Sequence, residues 1–85
     1  MFKVVFVIDV EDVFLEFETE LPFAPYPGLD VMLGESAWWN QFEIKDAMWR
    51  HEELTFQCIV TLHDSEHGMT DEKFVEFMVS KGWDD

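Results

Sequence analysis

Residues 2–21 read FKVVFVIDVEDVFLEFETEL, and this stretch decides the fold. In its first half, apolar side chains occupy every second position. β-Branched and aromatic residues at a period of two are typical of a strand, because successive side chains of a strand point to opposite faces. We therefore predict a strand over residues 2–10. Its inward face would carry Phe2, Val4, Phe6, Ile8 and Val10.

At Glu11 and Asp12 the alternation shifts by one residue. Such a shift indicates either a tight turn or a bulge, since a slip of one residue exchanges the two faces of a strand. A two-residue hairpin turn prefers Asn-Gly or Asp-Gly, which is not present here, so both alternatives stay open. Beyond the shift, Glu16, Glu18 and Glu20 face one side, together with Phe14. The opposite face carries Val13, Leu15, Phe17, Thr19, Leu21 and Phe23.

A helix competes with the strand over residues 10–21. Val10, Val13, Phe14, Phe17 and Leu21 also follow helical spacing, with Asp9 as a possible N-cap. That helix would place acidic residues four apart on one face, where like charges repel. Phe, Val and Thr favour pleated surfaces. We favour the strand.

Turn residues and further alternation follow. Three prolines and a glycine predict a rigid loop over residues 21–28, with Pro27-Gly28 at its corner.

A short strand over residues 29–33 and a longer one over 38–49 come next, the longer one bulged near Lys45-Asp46. After a turn at residues 50–52, the last strand should have an inward row. This row consists of Leu54, Phe56, Cys58, Val60 and Leu62.

Residues 70–82 are predicted to form a helix. Thr70 is a good N-cap, Gly82 suits the left-handed position after a helix, and Trp83 can pack back onto the last turn. The predicted fold class is α+β: a curled antiparallel sheet of four or five strands with one C-terminal helix packed on it. Residues 1–85 would form a single domain, strand-rich over 2–62, with a loop over 63–69.

Composition excludes several functions. The formal net charge is −14, yet 48% of the residues are hydrophobic, unlike a disordered acidic tail. Direct binding to nucleic acid or to anionic membranes would be repulsive. Neither a membrane span nor a signal peptide is recognisable. The lone Cys58 cannot form an internal disulfide, which fits a reducing cytoplasm, that of a host cell if the gene belongs to a phage.

No motif predicts catalysis, a metal or a cofactor. Residues 63–67 match H-x-x-E-H, the inverted zinc-protease signature, but that site needs both imidazoles on a helix. We interpret the segment as a solvated turn before a helix. His51-Glu52-Glu53 is interpreted as a hairpin tip, and Cys58 as a core residue with an unreactive thiol.

Trp38 and Trp39 are candidate anchors for a partner. If they lie on a strand, they point to opposite faces, so one is core and the other is partly exposed. Tryptophan is enriched in binding hot spots. Trp49 and Trp83 are assigned to the core.

The acidic residues carry the main functional hypothesis. Glu16, Glu18 and Glu20 would project from one face at intervals of about 7 Å, which resembles the spacing of phosphates along a nucleic-acid strand. Glu11 and Asp12 extend the row, as does Asp9. A net charge of about 2–8 in magnitude already keeps a small domain soluble. The excess predicts a basic surface on a partner.

In size, charge and compactness the chain resembles phage-encoded inhibitors of host nucleases, namely anti-restriction and anti-CRISPR proteins. The resemblance implies a nucleic-acid mimic that occupies the basic surface of a nuclease or other nucleic-acid-binding protein. The predicted contact residues are Glu11, Asp12, Glu16, Glu18, Glu20, Trp38 and Trp39. The alternative is a non-enzymatic assembly module that homodimerises or docks through exposed aromatics.

Overall fold

Five strands form one sheet, and a single helix covers one of its faces. The computed structural model describes residues 1–64 and 66–85. The strands are β1 (Phe2–Val10), β2 (Val13–Leu21), β3 (Asp30–Met32), β4 (Gln41–Arg50) and β5 (Thr55–Leu62), and the helix is α1 (Asp71–Ser80). The order across the sheet is β2-β1-β5-β4-β3. The predicted α+β class, with one C-terminal helix on a curled sheet, is confirmed.

One neighbouring pair of strands, β1 and β5, runs parallel, while the other three pairs are antiparallel. Alternation along a strand depends on which face is buried and not on the direction of its neighbours. The predicted antiparallel arrangement therefore holds for three of the four neighbouring pairs, and the alternation could not reveal that β1 and β5 are parallel. The result is a mixed sheet, in which β1 lies between a hairpin partner and a strand from the far end of the chain.

Residues 10–21 contain no helix: residues 11–12 form a tight turn, and β2 follows it. Val10 pairs with Val13, so β1 and β2 form a two-residue hairpin. Glu11 and Asp12 both have positive φ, at 44° and 71°. Positive φ at both central positions defines the type I′ turn, whose twist matches that of the flanking strands.

The loop and the bulge match their sequence signals. The Leu29 amide donates to the Tyr26 carbonyl over 3.3 Å, which closes a turn around Pro27-Gly28, and Gly28 has the positive φ of 92° that a type II turn needs. In β4 the pairing register with β5 shifts between Ile44 and Asp46, so the bulge is confirmed.

Three local predictions for strands were wrong. Trp38–Asn40 is a turn of 3-10 helix, so β4 begins only at Gln41. Leu54 lies in the β4–β5 turn with φ 53° and is 61% exposed, so the inward row of β5 begins at Phe56. Trp49 is 43% exposed, because it lies at the end of β4, away from the part of the sheet that α1 covers.

The helix ends as its sequence indicates. The Thr70 hydroxyl accepts a hydrogen bond from the Lys73 amide, which caps the N-terminus. At the other end Gly82 has φ 106°, and the Trp83 amide donates to the Met78 carbonyl. Together with a bond from the Gly82 amide to the Val79 carbonyl, this is a Schellman motif. In the described part of the chain, no helix has the length and apolar character needed to cross a membrane.

The core lies between α1 and the sheet. Phe74 and Met78 of the helix are buried there, and the Trp83 ring lies 5.4 Å from the rings of both Phe17 and Phe42. The segment after the helix then pairs with the edge of the sheet, because the amides of Glu16 and Asp84 donate to each other's carbonyls over 2.8 Å. The sheet core comprises Val4, Phe6, Ile8, Val10, Leu15, Phe42, Ile44, Cys58 and Val60.

Candidate protein-binding surface

The face of the sheet opposite α1, called the open face below, carries the candidate site. On β2 it presents Glu16, Glu18 and Glu20, which we call the acidic ladder. They alternate with Leu15 and Phe17, which pack into the core, so the three carboxylates must point away from it. All three glutamates are exposed.

Register extends the ladder into rows across the sheet. Glu16 lies in a row with Val7, Ile59 and Asp46. The next row contains Glu18, Val5, Gln57 and Met48, and the third contains Glu20, Lys3, Thr55 and Arg50. The open face therefore has carboxylates along β2, a largely apolar centre and mixed charge along β4.

No ladder glutamate is in an ion pair within the described residues, although Lys3 lies opposite Glu20 in the third row. The described residues contain two ion pairs, which join Lys45 to Glu43 at 3.1 Å and Arg50 to Glu53 at 3.3 Å, and a polar contact of 2.8 Å between the His63 imidazole and the Asp30 carboxylate. None of them includes a ladder glutamate. Arg50 also donates to the Gln57 amide oxygen of β5 over 2.8 Å, which holds its guanidinium over the open face, where Arg50, Glu16 and Glu18 line one surface depression. The ladder carboxylates are thus left to solvent or to a partner.

Further acidic residues surround the ladder. Asp9 is exposed on the open face beside Phe14, and Glu11 and Asp12 form the exposed hairpin tip at the end of β2. The backbone pairing of Asp84 with Glu16 places an additional carboxylate along the outer edge of β2. The structure therefore brings the five predicted acidic site residues together on β2 and its hairpin.

Trp38 and Trp39 lie apart from the ladder, on the helix side of the sheet. The Trp38 ring stacks on Phe77 at 5.4 Å, and Trp39 contacts the same ring edge-on at 6.3 Å. The Lys81 ammonium lies 4.8 Å from the centre of the Trp39 ring. Both tryptophans are half-buried, so the expectation that one faces the core and the other faces solvent does not describe them. They fasten the turn before β4 to α1.

The two histidines of H-x-x-E-H have separate partners. The His63 Nε2 is paired with the Asp30 carboxylate of β3, whereas the His67 ring stacks on Phe74 at 4.6 Å. Ser65, within that motif, lies outside the described residues. Among the residues that are described, no group of three or more His, Cys, Asp or Glu side chains is arranged to hold a metal ion.

Cys58 is buried completely in the centre of the sheet, as predicted. Burial, and to a smaller extent the nearby Asp46 carboxylate, raises the pKa of the thiol from 9.0 to about 11. Desolvation disfavours the thiolate, which is the nucleophilic form. This environment is the opposite of the one that activates a catalytic cysteine.

Sequence reasoning placed Phe14 and Ile59 on outward faces but did not join them with Met48 into one apolar surface. Phe14, Met48 and Ile59 are 57%, 58% and 42% exposed. They come from three different strands, and only the sheet register places them on one surface. The outward positions of β5 were recognisable from its alternation, but their neighbours on β1 and β4 were not.

No protein-family model matches the chain, and neither a curated protein nor a solved structure matches it.

Proposed function

We propose that this chain is a non-enzymatic binding protein that inserts the acidic ladder into a basic, nucleic-acid-binding surface of a partner protein. The observation that supports this most is the ladder itself: three exposed carboxylates on one side of an edge strand, none of them in an ion pair within the described residues. Their spacing of about 7 Å along β2 suits a groove that binds phosphates. A nuclease is the preferred partner, and the setting a reducing cytoplasm.

Charge and the rigidity of the strand both support such a partner. A surface of one sign attracts a surface of the opposite sign over distance and accelerates association. A rigid strand also fixes the backbone spacing of the three glutamates before binding, so only their side chains have to be ordered on contact. Phosphate-binding grooves present several Lys and Arg side chains in a row, which is the arrangement that the acidic ladder would neutralise.

The test is competition between this protein and DNA for a purified nuclease with a basic groove. We expect displacement of labelled duplex DNA at low salt and weak displacement at high salt, since screening reduces attraction between exposed charges. The variant E16K/E18K/E20K should lose displacement. The matched control E35K/E52K/E76K has the same net charge but alters exposed glutamates away from the ladder, and it should retain displacement.

Two results would contradict the proposal. One is displacement that is unchanged between low and high salt. The other is equal loss in the ladder variant and the control, because that would assign the effect to net charge alone.

The alternative is an assembly module that pairs with a second copy through exposed aromatic side chains. The exposure of Phe2, Phe14 and Trp49, at 40%, 57% and 43%, favours it. Sedimentation over a range of protein concentrations separates the two functions. A concentration-dependent dimer that F14S abolishes would support the assembly module, whereas a monomer at all concentrations would exclude homodimerisation.

A further inference from the structure

We propose that the open face binds a basic amphipathic α-helix of the partner, laid along the strands between β2 and β4. This inference rests on the proposed function and specifies the element of the partner that the acidic surface accepts. Such helices are also the elements with which many DNA-binding proteins enter the major groove. The open face determines the chemistry and the length of the occupant.

The centre of the open face is apolar. Val7, Ile59 and Val5 lie side by side on β1 and β5, and Met48 and Phe14 adjoin them on the flanking strands. Val7 is itself buried, at 5% exposed, so the apolar area that a partner can cover comes mainly from Phe14, Met48 and Ile59. A partner with only charged groups would leave this apolar stripe uncovered, so the occupant needs an apolar side of its own.

Carboxylates flank that stripe on two sides. Glu16 and Glu18 lie on β2, and Asp46 lies on β4 in the same row as Glu16. Three strand spacings separate β2 from β4, which is roughly 14 Å. A helix with its side chains is about 10–12 Å wide, and Lys and Arg side chains extend beyond that width. A helix on the stripe therefore reaches both the glutamates of β2 and Asp46 on β4, whereas a single extended strand does not.

Charge decides between a foreign helix and a second copy. Each chain has a formal net charge of −14. Two copies meeting through their open faces would bring two chains of this charge together, with Lys3 and Arg50 as cations on that face. Arg50 is already engaged by Glu53 and Gln57. A cationic partner is favoured because it removes this repulsion, while a second copy adds to it.

The length of the face sets the length of the helix. From Glu16 to Glu20 the ladder extends over four residues of strand, or about 13 Å. At a rise of 1.5 Å per residue, this corresponds to about nine residues of helix. The expected motif has apolar residues at positions i, i+3, i+4 and i+7, with Lys or Arg on both flanks.

The experiment uses a synthetic 18-residue helical peptide of leucine and lysine with that pattern. Two comparison peptides are a scrambled sequence of the same composition and an oligolysine of the same charge. Affinity for the full-length protein is measured by titration calorimetry at fixed salt. We expect the amphipathic peptide to bind at least roughly tenfold more tightly than either comparison peptide, because only it covers the apolar stripe.

Three variants locate the contact. I59S should weaken binding about tenfold, while V79S, whose side chain on α1 is equally exposed at 43%, should leave it unchanged. D46N should weaken binding only if the peptide spans from β2 to β4. All three positions are exposed, and a thermal melt of each variant confirms that it folds.

Equal affinity of the three peptides, the absence of binding by any of them, or equal effects of I59S and V79S would overturn the inference. Dimerisation of the protein through the open face, detected by sedimentation and abolished by I59S, would overturn it as well. If I59S and D46N have no effect while the ladder variant still loses nuclease competition, helix docking is wrong and the proposed function stands. If the peptide binds as expected but nuclease competition is absent, nucleic-acid mimicry is wrong instead.

Discussion

Asn40 is the one buried polar side chain among the described residues, 3% exposed. Its Nδ2 donates to the Glu35 carbonyl, and its Oδ1 accepts from the Ala37 amide at 3.3 Å. The Leu33 amide in turn donates to the Asn40 carbonyl over 2.9 Å. This one residue therefore satisfies three backbone groups in the connection from β3 to β4, which also carries the two tryptophans.

We expect N40D to destabilise the fold by about 3 kcal/mol. The substitution replaces the Nδ2 donor by a carboxylate oxygen facing the Glu35 carbonyl. Urea denaturation measures the change. The control Q41E introduces the same charge one residue later and should cost far less, since the Gln41 side chain is only half-buried. The N40D deficit should shrink at low pH, where a protonated carboxyl can donate; a deficit independent of pH would contradict the hydrogen-bond explanation.

The buried thiol of Cys58 makes stability depend on pH in the alkaline range. Its pKa is about 11 in the folded protein and 9.0 when unperturbed. Below pH 9 both states keep the proton. Above pH 9 the unfolded chain releases the proton and the folded chain retains it, so the free energy of unfolding falls as pH rises from 9 to 11.

The expected loss across that interval is roughly 2–3 kcal/mol. It is obtained from urea denaturation as the difference between the wild type and C58A, because the other alkaline groups titrate alike in both proteins. Parallel stability curves for the two proteins would show that the thiol is not protected by burial.

At the scale of the elements, the β1–β2 hairpin orients the acidic ladder. Its turn requires left-handed backbone at Glu11 and Asp12, residues that are less suited to it than Asn-Gly. Two carboxylates are present at this tip, near Glu16 on β2. Their conformational cost agrees with the proposal that this end of the molecule is a binding surface rather than an optimised turn.

E11N/D12G should therefore stabilise the protein by about 1 kcal/mol or more, because both new residues adopt positive φ easily. Removing two negative charges from this acidic protein also contributes to the expected stabilisation. The control E11Q/D12N removes the same charge without supplying glycine, and the difference between the two variants in urea denaturation isolates the backbone term. No difference between them would contradict a type I′ turn at this position.

For the whole molecule, repulsion among uncompensated carboxylates opposes folding. The formal net charge is −14 with histidine neutral, and the two ion pairs within residues 1–64 and 66–85 involve Glu43 and Glu53. Repulsion between exposed charges is screened by salt. We therefore expect the melting temperature to rise between low and moderate sodium chloride concentrations, where screening changes most.

E16Q/E18Q/E20Q should raise the melting temperature at low salt and reduce its dependence on salt. The matched variant E35Q/E52Q/E76Q removes the same charge from scattered sites and should do so less, because its carboxylates are not neighbours on one strand. Equal changes in melting temperature for the two variants would show that repulsion within the ladder is no stronger than repulsion elsewhere on the surface.

The local elements follow from the amino-acid sequence by itself. Alternation predicted β1, β2 and β5, the change of phase marked the hairpin and the β4 bulge, and Thr70 and Gly82 marked the ends of α1. These features depend on contacts within a few residues along the chain. The alternation on β2 likewise predicted the acidic ladder, because core packing of Leu15 and Phe17 leaves the glutamates only the other face.

Only the tertiary structure decided the rest. The parallel pairing of β1 with β5, the apolar stripe on the open face and the half-burial of Trp38 and Trp39 against α1 all join segments far apart in sequence. Alternation shows which side chains of a strand face the core and which face solvent. The pattern is the same whichever strand lies beside it. Which residues share a surface is set by strand order and register, and these depend on how the complete core packs.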